Sequence, residues 1–161
     1  ARGGGIYYEG SGHTALSNVT VTGNTADVGG GMYVPPSAEP QLSVVIFEAN
    51  AAVSGGGLFN DGGRPRLTGA TLISNTATGE GGGMYNDNGS APSLINCIIR
   101  GNTASGAGGG LYNRSGSDPK CVNCTVIGNS ASTSGGVCNI LSSNPSFANC
   151  IVLGNTAQYW P

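Results

Sequence analysis

The chain has 161 residues, with 30 glycines, 8 prolines, only 9% charged residues and a net charge of −2. A single lysine (Lys120) and the absence of any basic run leave no electrostatic footprint for nucleic acid or an anionic membrane surface. No apolar stretch approaches the roughly 18 residues of a spanning helix, and so much glycine and proline suits a packed core only if the 38% hydrophobic residues are regularly placed.

They are regularly placed. Read from the N terminus, an Asn-Thr-Ala motif and its variants set Asn24, Asn50, Asn75, Asn102, Asn129 and Asn155 at intervals of 26, 25, 27, 27 and 26 residues. A second marker, a glycine triplet followed by an apolar residue, keeps the same phase and aligns Ile6, Met32, Leu58, Met84, Leu111 and Val137, the last after two glycines. Two markers sharing one period over six copies define six coils of about 26 residues across 1–157, with 158–161 as a short tail.

Within each coil the elements follow in a fixed order. After the glycine-linked apolar residue comes an aromatic column, Tyr7, Tyr33, Phe59, Tyr85 and Tyr112, ending in Cys138. A partial asparagine column follows (Asn60, Asn86, Asn113, Asn139), and then a corner marked by Pro40, Pro65, Pro92, Pro119 or Pro145. Next stand Leu16, Leu42, Leu67, Leu94, Cys121 and Phe147; then Val19, Val45, Ala70, Cys97, Cys124 and Cys150; then Val21, Phe47, Leu72, Ile99, Val126 and Val152. Between the last two columns lies an alternating Thr20, Ile46, Thr71, Ile98, Thr125, Ile151, which gives the in–out–in pattern of a strand. The ladder asparagine, an outward hydroxyl row (Thr25, Thr76, Thr103 and Thr156, with Ala51 and Ser130) and an inward alanine column close each coil.

A helical reading fails, because glycine triplets and prolines interrupt every copy before three helical turns accumulate. Short strands joined by Gly and Pro corners wind one coil per repeat, each pairing in parallel with its copy above. The expected fold is therefore an all-β, right-handed parallel β-helix, since same-sheet parallel crossovers are right-handed. Six coils stacked at about 4.8 Å give a rod of roughly 30 Å. The ladder asparagines should turn inward and bond amide to amide, while the glycine triplet supplies positive φ or close backbone approach.

The pattern Gly-Gly-x-apolar followed by Phe-x-x-Asn resembles the repeat of polymorphic outer-membrane proteins and related bacterial β-helix adhesins. Phe47-Glu48-Ala49-Asn50 matches its second half outright, and the other copies place Val, Leu or Ile for Phe, as in Val21-Thr22-Gly23-Asn24. The resemblance is one of repeat grammar over essentially the whole chain. It implies a secreted or surface-displayed β-helix, often an adhesin stalk, and carries over no binding site or activity.

Candidate chemistry is sparse. Asp61 and Asp87 follow the aromatic-Asn dipeptide in adjacent coils, so they should stand about 5 Å apart, a spacing that suits a retaining glycosidase pair or a shared cation. Arg114 continues the column, which favours a solvated charge row instead. His13 has no visible acid partner. Cys97, Cys121, Cys124, Cys138 and Cys150 supply enough thiols for zinc, but three of them share a column with Val and Ala, the place of small buried hydrophobes. Alternation points the aromatic column outward, as a self-stabilising stack or a stripe for carbohydrate or a partner. The hydroxyl row suggests an ice-binding face, yet its neighbour alternates Thr with Ile rather than forming a second clean file. Sequons at Asn18, Asn88, Asn113 and Asn123 permit glycans in a secretory context. The chain begins at Ala1 rather than Met and reads as a trimmed piece of a longer precursor.

These readings converge on a structural, non-enzymatic extracellular or cell-surface protein, needing neither cofactor nor metal: a fibre subunit stacking head to tail, or an adhesin stalk. Neither end carries a polar cap, the lower offering Ile6, Leu16, Val19 and Val21 and the upper Val137, Phe147, Cys150 and Val152. Tyr159 and Trp160 are placed to cover or lock the joint. Polysaccharide binding or degradation is the first alternative and ice binding the second.

Overall fold

The structure, a computed structural model, describes residues 1–9 and 14–158. Among these residues it is all-β, six coils wound so that each strand pairs in parallel with its copies above and below. Four sheets run the length of the rod, three with six strands and one with five. The first sheet contains strands such as Leu58–Asp61 and Met84–Asp87, the second Arg66–Thr68 and Ser93–Ile95. The third contains Thr71–Ile73 and Ile98–Arg100, the fourth Thr76–Ala77 and Thr103–Ala107. Pairing follows the sequence columns residue for residue: Met84 faces Leu58 and Leu111, Leu94 faces Leu67 and Cys121, and Leu72 faces Phe47 and Ile99.

The strands stay short because single left-handed residues turn the chain. Between the second and third sheets the corner is Asn18, Val44, Gly69, Asn96, Asn123 or Asn149, all at positive φ. After the third sheet it is Gly23, Ala49, Ser74, Gly101, Gly128 or Gly154. Gly and Asn take this conformation at little cost, whereas a β-branched residue does not. The glycine triplet does two jobs. Its first member turns the chain, as Gly55 does at φ 66°. Its last member clears space: a Cβ on Gly83 would meet the Gly110 carbonyl oxygen at 2.6 Å and the Asn102 Nδ2 at 3.1 Å.

The inward columns fill one continuous interior. Leu42, Phe47, Leu58, Leu67, Leu72, Met84, Leu94, Ile99 and Leu111 are fully buried, and Ala77, Ala104 and Ala131 form a small separate cluster where the coil closes. Ordered stacking of this kind fixes the register, because a one-residue slip would turn every apolar side chain outward.

Beside that interior runs the asparagine ladder. The Asn102 Oδ1 accepts from the Asn75 backbone N–H and from the Asn75 Nδ2, both at 2.9 Å. The Asn102 Nδ2 in turn donates to the Leu72 carbonyl at 3.0 Å and to the Asn129 Oδ1 at 2.9 Å. The same geometry recurs from Asn24 to Asn155. A second, shorter ladder links Asn60, Asn86, Asn113 and Asn139 through their side-chain amides. It stops at Asn60 because the coil before carries Val34 in that position, and the buried Asn60 Oδ1 has no hydrogen-bond donor.

Two measurements follow. Asn102→Ala should lower stability by at least about 3 kcal/mol, because it strips partners from several buried polar groups at once; chemical denaturation against Thr68→Ala, an exposed control, checks it. A loss no greater than the control's would mean the ladder carries no weight. Val44 holds φ 53° with a β-branched, half-exposed side chain. Val44→Asn, the residue at four of the six equivalent corners, should therefore raise stability by about 1 kcal/mol in the same assay.

Candidate functional site

The first and second sheets and the turn between them carry most of the chain's chemistry. Asp61 and Asp87 are paired neighbours in adjacent strands, as the sequence spacing requires. Their oxygens are already engaged. Asp61 accepts from the Tyr33 hydroxyl at 2.6 Å and from the Asn88 Nδ2 at 2.6 Å. Asp87 accepts from the Asn88 backbone N–H at 2.8 Å and lies 3.5 Å from the Arg114 Nε. This is the charge row that Arg114 foreshadowed, with each carboxylate serving as a strut between coils.

The aromatic column corrects the expectation of an exposed stripe. Rings from Tyr7 to Tyr85 stack nearly face to face at 4.6–5.8 Å between centroids, and Tyr112 tilts against Tyr85 at 4.9 Å. Each ring covers the next, so Tyr33 is 2% exposed, Tyr85 5% and Tyr112 6%, while Phe59 is half-buried and Tyr7 alone is open at 47%. Alternation placed these side chains on the outer face correctly, but stacking and the polar neighbours Asp61 and Arg114 leave little ring surface for a ligand. Arg2 adds a guanidinium over the Tyr33 ring at 5.2 Å.

The cysteines are free thiols. Cys97, Cys121 and Cys124 are buried and Cys150 half-buried, packed with the apolar core. Hydrogen bonding to Cys124 and burial push the Cys97 and Cys121 thiols well above the usual range, which makes them poor nucleophiles. No set of three His, Cys, Asp or Glu side chains among the described residues is arranged to hold a metal ion.

The hydroxyl row pairs in register from Thr25 to Thr156 and faces outward. Of the four sequons, Asn18, Asn88 and Asn123 lie exposed, but Asn113 is fully buried within the second ladder and closed to glycosylation in the folded chain. His13, Tyr159 and Trp160 lie outside the described residues.

The sequence reading missed one grouping. Arg64, Arg66 and Lys120 gather with Glu39, Ser93 and Asp118 around a notch on the turn between the first and second sheets. Its signal was present: the coil containing Arg64 is the one with a 25-residue interval.

The tyrosine stack predicts alkaline sensitivity. Burial first, then the hydrogen bond to Asp61, push Tyr33 up to about 12, and burial and Tyr85 push Tyr112 up to about 12. Below pH 10 both folded and unfolded chains keep these protons. Between pH 10 and 12 the unfolded chain releases them while the folded one retains them, so stability falls as pH rises. Melting temperature should drop through this window, and Tyr33→Phe should make the drop shallower; an unchanged profile would show that Tyr33 titrates normally.

Comparison with known proteins agrees with this geometry. A family described as "Right handed beta helix region" matches residues 3–159. No curated protein and no solved structure matches the chain. With its parallel coils, in-register sheets and asparagine ladder, and a match spanning nearly its whole length, the chain belongs to the right-handed β-helix family.

Proposed function

We propose that this chain is a structural, non-enzymatic rod of an extracellular or cell-surface assembly, built to be extended head to tail through its terminal coils. The observation that carries this reading is the polarity of the ladder. Every asparagine from Asn24 to Asn129 donates its backbone N–H and one Nδ2 hydrogen to the Oδ1 of the next coil. Asn155 has the same donors with no further Oδ1 above it among the described residues. Asn24 Oδ1, at the other end, accepts from no ladder amide. A second copy of the chain, or further coils, would meet the donors at one end and the acceptor at the other.

The apolar surfaces are less symmetrical than the sequence suggests. At the C-terminal coil Phe147 is 38% and Val152 55% exposed. At the N-terminal coil Val21 is only 5% and Tyr8 9% exposed, both part of the buried core. The adhesive face is therefore the C-terminal one, where strand edges and core side chains are both open. Such a contact is heterologous and does not close on itself, so it yields filaments rather than dimers.

The engagement of Asp61 and Asp87 in fixed inter-coil bonds supports the non-enzymatic part of the reading, and the self-covered aromatic stack weakens the carbohydrate-stripe alternative. An adhesin stalk is the variant in which further coils, rather than a second copy, cover Phe147 and Val152. Sedimentation and electron microscopy at rising concentration test the proposal. Filaments with an axial repeat of roughly 30 Å support it, and Val152→Asp should abolish them while leaving the monomer folded. Discrete monomers at high concentration would remove the filament version. Release of reducing or unsaturated sugar from a polysaccharide panel, lost in Asp87→Asn, would overturn the non-enzymatic reading.

A further inference from the structure

Three of the chain's six cations, Arg64, Arg66 and Lys120, line a single notch of about 420 Å³ on the flank of the rod. Two of the other three cations have partners: Arg114 meets Asp87 and the Tyr85 hydroxyl, and Arg2 covers Tyr33. Among the described residues, Arg64, Arg66 and Lys120 make no side-chain hydrogen bond or ion pair. They are held in one place with no partner of their own.

The notch has a specific origin. Nine positions separate Leu58 from Leu67, whereas ten separate Met32 from Leu42, Met84 from Leu94 and Leu111 from Cys121. The missing residue falls in the turn, because strand register is restored at once, with Arg66 opposite Gln41 and Ser93. The shortened turn keeps its tie to the coil before, its Arg64 N–H bonded to the Ala38 carbonyl at 2.8 Å as the Asp118 N–H of a full-length turn bonds the Ser90 carbonyl at 2.9 Å. Glu39 from the turn before, Pro92 and Ser93 from the turn after, and Asp118 and Lys120 from the one beyond complete the lining.

The lining is chemically mixed. Arg66 and Lys120 occupy one outward column with Ser93 between them, two coils or about 10 Å apart. Pro92 gives a buried apolar floor. Glu39 and Asp118 also line the notch, the latter with one oxygen held by the Asn144 N–H at 2.6 Å. Two carboxylates in a chain of net charge −2 disfavour a phosphate backbone, which needs uniformly positive surroundings. They suit a ligand that brings hydroxyl donors along with its anionic groups. We propose that the notch binds an acidic saccharide, its carboxylate or sulfate groups meeting the three cations, its hydroxyls meeting Ser93 and the carboxylates, and a C–H face resting on Pro92. The site lies on the side of the rod and does not depend on how its ends assemble.

Calorimetric titration at low salt with tetragalacturonate, a sulfated tetrasaccharide and neutral maltotetraose tests the proposal. One or both acidic probes should bind, the neutral one should not, and the preferred acidic probe identifies the oxyanion. Arg66→Ala and Lys120→Ala should each weaken binding about tenfold, while Arg100→Ala, an exposed cation on the third sheet, should leave it unchanged. Inserting one glycine between Gly63 and Arg64 restores a full-length turn without altering any charge and should also abolish binding. No binding of either acidic probe, equal binding of maltotetraose, or an equal loss in Arg100→Ala would overturn the assignment. Unchanged thermal melts of the three charge variants separate loss of binding from loss of fold.

Discussion

Each buried amide of the ladder has two hydrogens to donate and an oxygen that must accept, and within a coil almost nothing can meet them. The partners come from the coils above and below. Asn75 and Asn102 show the pattern: the oxygen of one receives the backbone N–H and the side-chain amide of the other, while its own amide reaches back to a carbonyl of the preceding coil. A buried amide left short of these bonds costs more than the bonds themselves return. The coils must therefore keep one register and one spacing. The glycines that clear the amides, the left-handed corners and the layered leucines all follow from that requirement.

The same constraint explains why so few side chains are free for chemistry. In a rod whose every position sits over its own copy, a polar residue is most stable when bonded to its neighbour in the next coil. Asp61 and Asp87 are used in this way, as are the tyrosine rings, whose faces are spent on one another. Buried thiols pack as small apolar groups within the layers. Departures from regularity are correspondingly informative. The positive φ at Val44, the orphaned Asn60 oxygen and the shortened turn at Arg64 each occur where one coil breaks the pattern of the others.

Irregularity also separates the two ends. The first coil places Tyr8 where later coils have Val34 or Asn60, and its ring joins the buried core that also holds Val21. In the last coil Phe147 is 38% and Val152 55% exposed. A ladder in which every amide donates to the coil after it and accepts from the coil before has direction built into it.

The sequence by itself determined the coil number, the register, the inward columns and the ladder, because a strict period makes each column a repeated statement of the same environment. Phe47, Leu72 and Ile99 had to share a face once Asn50, Asn75 and Asn102 shared a corner. The tertiary structure alone decided coverage. Alternation gives the direction of Tyr33 and Tyr85 but not whether neighbouring rings hide them, and a sequon motif cannot show that Asn113 lies inside a ladder. It also decided what a single missing residue does. A 25-residue interval reads as noise in a column alignment, yet in three dimensions the shortened turn borders a notch that Arg64, Arg66 and Lys120 line together. Depth and exposure depend on what lies on the adjacent coils, and that information is spread over residues some 26 to 54 positions apart.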